Sequence, residues 1–264
     1  MEYKKNIFTV EDHIGVIAMN FPANLNAIDM EMVEELLSIL DECEKNPEVK
    51  VVVIKSAVKA FSAGGDIGYF YKNIQAGGEL NMDDLIEKAG LVSLNIKKMS
   101  KMVITSINGA AAGAGANLAL SGDFIVAADN AKFIQAFVNI GLAPDTGGSY
   151  LLSKMVGPQR AMELCATGRP LGAEEAKEWG LVYQVCPKEE LEEQTMKLAK
   201  KLASGPLVSY ASIKKQFFEA NYADYARYLA EGEVPAQSMC IASKDFKEGV
   251  CAFIEKRKAE FIGE

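Results

Sequence analysis

A single histidine, His13, and five cysteines without a CxxC pair leave this chain short of the groups that build common metal sites. The cysteines stand at 43, 165, 186, 240 and 251, odd in number and widely spread. That spacing fits neither a zinc site nor a disulfide framework, and it predicts a reducing, cytoplasmic setting. Basic runs are missing as well. Lys and Arg number 28 against 36 Asp and Glu, a net charge of −8, so an electrostatic grip on nucleic acid is not expected. The opening MEYKKNIFTVEDHIG has no apolar core of the secretory kind. One stretch, 102–122, carries no charge over a membrane-spanning length. Four glycines, two asparagines, Thr105 and two serines make it too weakly apolar, and no membrane association is expected.

What is present reads as a sizeable globular protein: 264 residues, 49% hydrophobic and 24% charged. Ile14–Met19, Val51–Ile54, Met102–Ile107 and Phe124–Ala128 read as strands, with helical periodicity between them. Asp29 offers an N-cap to a helix carrying Val33, Leu36, Leu37 and Leu40. Strands separated by helix-length segments predict parallel pairing and an α/β core. After about residue 147 the pattern turns almost wholly helical, apart from a strand expected at 181–185. A core over 1–200 and a helical C-terminal region over 201–264 are therefore expected. Gly77-Gly78 reads as a loop between two helices.

Two turns are rich in small residues: Phe61-Ser-Ala-Gly-Gly-Asp-Ile67, and Asn108-Gly-Ala-Ala-Ala-Gly-Ala-Gly-Ala-Asn-Leu118. Each leaves a strand and enters a helix, where unpaired backbone N–H groups and the helix dipole favour negative charge. Two such turns are able to aim two amides at one oxygen, although tight helix-on-sheet packing explains the same residues. Neither turn is a dinucleotide fingerprint or a P-loop.

These turns, with NLNAI at 24–28, PDTGGSYLL at 144–152, GPQRAMEL at 157–164, EEAKEWGLV at 174–182 and DFKEGVCAFIEKRKAEF at 245–261, resemble the crotonase (enoyl-CoA hydratase/isomerase) superfamily in order and spacing. The resemblance implies a crotonase-like fold of repeated ββα units with a helical C-terminal trimerisation or lid region. Assembly into homotrimers or dimers of trimers is implied as well. It implies an acyl-CoA or acyl-carrier-protein thioester as substrate, with coenzyme A or phosphopantetheine as carrier and no resident cofactor or metal. The thioester oxygen is expected at the N–H groups of Ala63 and Gly113. Asn24, Leu25, Gly64, Gly65, Asp66, Ile67, Phe137, Phe253 and Lys256 are expected at the substrate.

The acids narrow the reaction. In this register the two glutamates of family hydratases fall on Asn117 and Phe137, and neither an amide nor a phenyl ring takes a proton from water. An acid stands instead at Asp145, where certain isomerases of the superfamily carry their base. The run FIQAFVNIGLAPDTGG resembles that of trans-2-decenoyl-acyl-carrier-protein isomerase-like members. Asp145 has apolar neighbours in Phe137, Val138, Ile140, Leu142 and Ala143, and burial raises a carboxyl's pKa toward that of a useful base. Capping a helix near Thr146 is the other role open to it. The reading is an enoyl-thioester isomerase shifting a double bond between C2 and C3. A hydratase with an atypical acid/base set is the alternative. A non-catalytic thioester- or RNA-binding member is the third possibility. Dehalogenation at Asp145 also needs a nearby histidine and tryptophan, and His13 and Trp179 lie far off in sequence. The cluster Lys256-Arg257-Lys258 fits either carrier phosphates or a solvated helix face.

Overall fold

The computed structural model describes residues 3–77 and 80–264; of the expected loop at Gly77-Gly78, Gly78 lies outside them. Six strands form the main sheet, in the order β1 (Asn6–Glu11), β2 (Ile14–Met19), β3 (Val51–Ser56), β4 (Met102–Ile107), β6 (Phe124–Ala128) and β9 (Gln184–Cys186). A second sheet holds β5 (Ala110–Ala112), β7 (Lys132–Ile134) and β8 (Pro170–Gly172). From β2 to β9 all pairings in the main sheet are parallel, as the alternation of strand and helix predicts. Only β1 runs antiparallel, joined to β2 by a tight turn at Asp12-His13, both with positive φ.

The helices are α1 (Met30–Lys45), α2 (Ile67–Gln75), α3 (Asp83–Lys98), α4 (Ala114–Leu120), α5 (Gly148–Val156), α6 (Pro158–Thr167), α7 (Ala173–Glu178), α8 (Leu191–Ala203), α9 (Leu207–Asn221), α10 (Tyr225–Tyr228), α11 (Val234–Ile241) and α12 (Lys244–Glu255). Asp29 caps α1 as expected, its side chain accepting the Met32 N–H. α1 buries Val33, Leu36, Ile39 and Leu40 on one stripe. α3 lies beside α1 and turns Val92 and Ile96 toward the same cluster as Ile17, Val52 and Ile54. On the opposite sheet face Val51, Val53 and Ile104 pack beneath Leu198 and Leu202 of α8.

The charge-free run 102–122 is β4, β5 and α4 in succession, and every residue of α4 is buried. No helix among the described residues is long and apolar enough to cross a membrane. That run shows the repeating unit of the fold. β4 joins the main sheet, β5 the small one, and α4 follows. β6 and β7 repeat the pattern before a short 3₁₀ turn at Ala136–Ile140. β3 does so in reduced form, with a single bridge from Ser62 to Ala111 standing for the second strand before α2. Each unit therefore sends the chain out of the small sheet at the same side of the molecule. The helices beyond 203 pack back on this body: α9 on α3 and β4, α11 on α3, and α12 on α2 and the 136–140 turn.

Candidate active site

Three chain exits from the small sheet meet around one cavity of about 290 Å³. The first contributes Ala63, Gly64, Gly65 and Ile67, the second Ala112, Gly113 and Ala114, and the third Ala136, Phe137, Asn139, Ile140, Leu142 and Asp145. Phe70 of α2, Met82 with Leu85, Ile86 and Ala89 of α3, and Phe253 of α12 complete an apolar wall with Ile28. Among these lining residues Asp145 is the one titratable side chain.

The first two exits touch because glycine stands at both. Gly64 has φ +90°, and a β-carbon there would lie 2.8 Å from the Ala112 carbonyl oxygen. Gly113, at φ +50°, faces Gly64 across this contact. The frame is locked by Ala112 N–H to Ser62 O (3.0 Å), Ile28 N–H to Gly64 O (2.7 Å) and the Ser62 hydroxyl to Asn26 O (2.7 Å).

This frame corrects the expected oxygen site. The Ala63 N–H donates to Leu25 O at 3.0 Å, and the Gly113 N–H donates to Ile134 O at 2.9 Å. Both are consumed in holding the turns together and have no hydrogen left for a ligand. The Gly64 N–H donates to the Ser62 hydroxyl oxygen at 3.2 Å. The Gly65 and Ala114 amides, two and one positions further along their turns, line the cavity and donate to no protein acceptor among the described residues. Ala114 opens α4, where the first N–H groups have no partner within the helix. Spacing in the sequence identified the turns but not which amide each turn spends on itself.

Other expected contacts also sort by geometry. Asp66 caps α2, its carboxylate accepting from Tyr69 N–H at 3.0 Å and from the Asn24 amide at 3.3 Å. Asn24 in turn accepts the Ala27 N–H, and Leu25, in the left-handed region at φ +55°, presents the carbonyl that takes the Ala63 N–H. These three residues build the wall from behind and do not line it. Lys256 ends α12 in left-handed conformation, exposed and outside the cavity wall. Its neighbour Arg257 is committed to Glu248 and Glu255 by ion pairs, so the basic cluster is partly neutralised. His13 lies in the β1–β2 turn, and Trp179 stacks beneath Arg160 and Arg169 at 4.5 and 5.5 Å; neither lines the cavity.

Asp145 is not a helix cap. α5 begins at Gly148 with Gly147 as its N-cap, and no side chain caps it. Oδ1 of Asp145 accepts the Thr146 hydroxyl at 2.8 Å, and Oδ2 accepts the Gln237 amide of α11 at 2.9 Å. Its main-chain carbonyl takes the Asn117 amide at 2.7 Å, while Asn117 Oδ1 accepts from Gln135 at 2.8 Å. Asn117 is thus a strut under the Asp145 loop, with both its amide nitrogen and its amide oxygen bonded. The carboxyl is 8% exposed, and burial pushes its pKa up to about 6, against the opposing hydrogen bonds from Thr146 and Gln237. It is a carboxylate at neutral pH, and a stronger base than an exposed aspartate.

Gln237 and its neighbour Glu233 come from the helical C-terminal region and carried no visible signal of their own. The local signal is Pro235. A proline inside a helix removes one hydrogen bond and crowds the carbonyl four residues back. Here the chain widens into a π turn over Leu229–Glu233 before α11 resumes with Pro235 in its first turn. That turn directs Glu233 and, four residues later, Gln237 at the 145–147 loop. No group of three or more His, Cys, Asp or Glu residues that could hold a metal occurs among the described residues.

The enoyl-CoA hydratase/isomerase family model matches residues 9–264. A trans-2-decenoyl-[acyl-carrier-protein] isomerase of Streptococcus mutans is 36% identical over 263 residues, covering 100% of both chains. A 1,2-epoxyphenylacetyl-CoA isomerase of Escherichia coli is 37% identical, over 96% of this chain and 97% of its own. Among solved structures, an enoyl-CoA hydratase of Mycobacterium avium subsp. paratuberculosis superposes with a TM-score of 0.90 at 32% identity, over 99% of this chain and all of its own. Isomerase and hydratase names thus both occur among similar proteins.

Proposed function

Because the chain belongs to the enoyl-CoA hydratase/isomerase family, we propose that it moves the double bond of an enoyl thioester between C2 and C3, with Asp145 carrying the proton. The observation that carries this reading is Asp145 as the lone titratable group, among the described residues, on an apolar cavity wall. The thioester oxygen sits at the Gly65 and Ala114 amides, which have hydrogens to give. From a 2-enoyl thioester the Asp145 carboxylate takes a proton at C4, and the electron pair flows through C3–C2 onto the thioester oxygen. The two amides hold that dienolate. The same carboxyl, now neutral, returns the proton at C2 and leaves the double bond at C3. The reverse direction uses the same steps, and no water, metal or redox group takes part.

Two further observations favour isomerisation over hydration. Asn117, where a hydratase needs a carboxylate, spends its amide on Asp145 and Gln135. Phe137 puts a buried phenyl ring at the other hydratase position. Among the described lining residues, a water entering here meets no second carboxylate to act as a base or to place it. The wall of Ile, Leu, Met and Phe suits an alkyl chain, carried on coenzyme A or on an acyl carrier protein. We propose assembly as a homotrimer or dimer of trimers, which sedimentation measures directly; Val208, Phe217, Met239 and Ile262 are exposed apolar side chains available to such contacts.

The test is incubation with trans-2- and cis-3-enoyl thioesters of both carriers, with products followed by mass spectrometry and proton NMR. Positional isomers of unchanged mass are expected. A product heavier by one water, with no positional isomer, contradicts the proposal.

A further inference from the structure

We infer that Glu233 is a positioning residue for Asp145: a buried carboxyl, kept neutral, that fixes the 145–147 loop and leaves Asp145 the one charge of the pair. The inference rests on Asp145 as the base. Glu233 is 1% exposed, and among the described residues its two oxygens receive a single donor, the Gly147 N–H, at 2.9 and 3.0 Å. Gly147 itself has no freedom. Its φ is +79°, and a β-carbon there would overlap the Tyr225 hydroxyl, which bonds to Ser93 of α3. Ser93 also donates to the Thr146 carbonyl at 3.0 Å. The loop bearing Asp145 is thus clamped between α3, α10 and the turn before α11.

The titratable groups facing Glu233 are Asp145 on the loop and Tyr225 and Tyr228 on α10. No lysine, arginine or histidine pairs with either carboxyl among the described residues. Two buried carboxyls without a cation do not both ionise. Asp145 has two side-chain donors, from Thr146 and Gln237, and Glu233 has one backbone amide. The charge therefore settles on Asp145 and the proton on Glu233. Burial pushes Glu233 up to about 8, the Gly147 N–H opposes this, and the charge on Asp145 adds to it. A neutral Glu233 has a use in the reaction. As the substrate proton reaches Asp145, negative charge moves to the thioester oxygen, and a second buried anion would oppose that step.

Two variants and one substrate-free measurement test this. Glu233→Ala removes the acceptor for Gly147 N–H and is expected to lower kcat about tenfold through a displaced Asp145, with KM moved less than about threefold. Glu233→Gln keeps an oxygen for that N–H and cannot ionise. It should recover most of the lost kcat, keep the acid limb of kcat/KM where the unaltered protein has it, and lack the alkaline decline near pH 8. A glutamine variant as slow as the alanine one, or an acid limb shifted down by about one unit, overturns the inference, because either means that a charged Glu233 is at work.

The substrate-free readout is Tm against pH. Glu233 has a raised folded-state pKa, so its contribution to stability is fully present below about 4.5 and is lost as pH rises toward about 8. Glu233→Gln should therefore flatten the fall in Tm between those values, and parallel profiles overturn the inference. Should no enoyl thioester be turned over while the flattening is seen, the isomerase reading fails and the neutral Glu233 stands.

Discussion

Replacing Gln237 by methionine removes one donor from Asp145 and keeps the length of the side chain. Gln237 is 1% exposed and its amide meets Oδ2 at 2.9 Å, so no water stands ready to take its place. A hydrogen bond to a buried charge contributes about 1.5–3 kcal/mol. At about 1.36 kcal/mol per unit, its loss raises the Asp145 pKa by roughly one to two units. Starting from about 6, the acid limb of kcat/KM should then move to roughly 7–8. The sign follows from the bond favouring the ionised form: without it the carboxyl holds its proton to higher pH. At pH 7 the carboxylate fraction falls from about nine-tenths to between one-half and one-tenth, a roughly two- to tenfold loss of rate. At pH 9 the variant should approach the rate of the unaltered protein at that same pH, since a more basic carboxylate is by then ionised while the alkaline decline set by Glu233 is common to both. The assay is kcat/KM for double-bond migration from pH 5 to 9. An acid limb that stays in place, with a loss equal at all pH values, would refute the claim that Gln237 sets the basicity of Asp145.

Three further outcomes follow from the same contacts. Gly147→Ala combines a positive φ of +79° with overlap on Tyr225 and should cost about 3 kcal/mol or more in urea unfolding. Asn117→Asp turns a donor to the Asp145 carbonyl into a buried oxygen facing it. It should destabilise by about 1–3 kcal/mol, more at pH 8 than at pH 5, as unfolding midpoints at the two pH values will show. Phe137→Glu alone should not confer hydration, because Asn117 remains engaged; a 3-hydroxyacyl product from that variant would contradict the role assigned to the missing acids.

Much of this architecture is legible in the sequence because its signals are local. Val51–Ile54 is uniformly apolar and Met102–Ile107 is β-branched and mostly apolar, as suits strands buried on both faces, and Asp29 marks where α1 begins. The three-residue strands β5, β7 and β8 escape notice, since they are too short to show alternation and are defined by partners far along the chain. For the site, residue types pointed to the two turns and the aspartate that line the cavity, but not to which amide in each turn is left without a protein acceptor. Whether Ala63 or Gly65 has a free N–H depends on the carbonyl of Leu25, nearly forty residues earlier. Gln237 and Glu233 were out of reach for the same reason. They act on a loop about ninety residues away, through a π turn whose sole local sign is Pro235.

Asp145→Asn gives the most direct test of the account. The amide keeps the shape of the carboxyl but cannot accept a proton. With a 2-enoyl thioester in deuterium oxide, the unaltered protein should exchange hydrogen at C2 and C4 and form the 3-enoyl isomer. The variant should bind the same thioester, unfold at a similar or higher temperature at neutral pH, and show neither exchange nor isomer. Exchange and isomerisation at the unaltered rate in Asp145→Asn would contradict the claim that this carboxylate carries the proton.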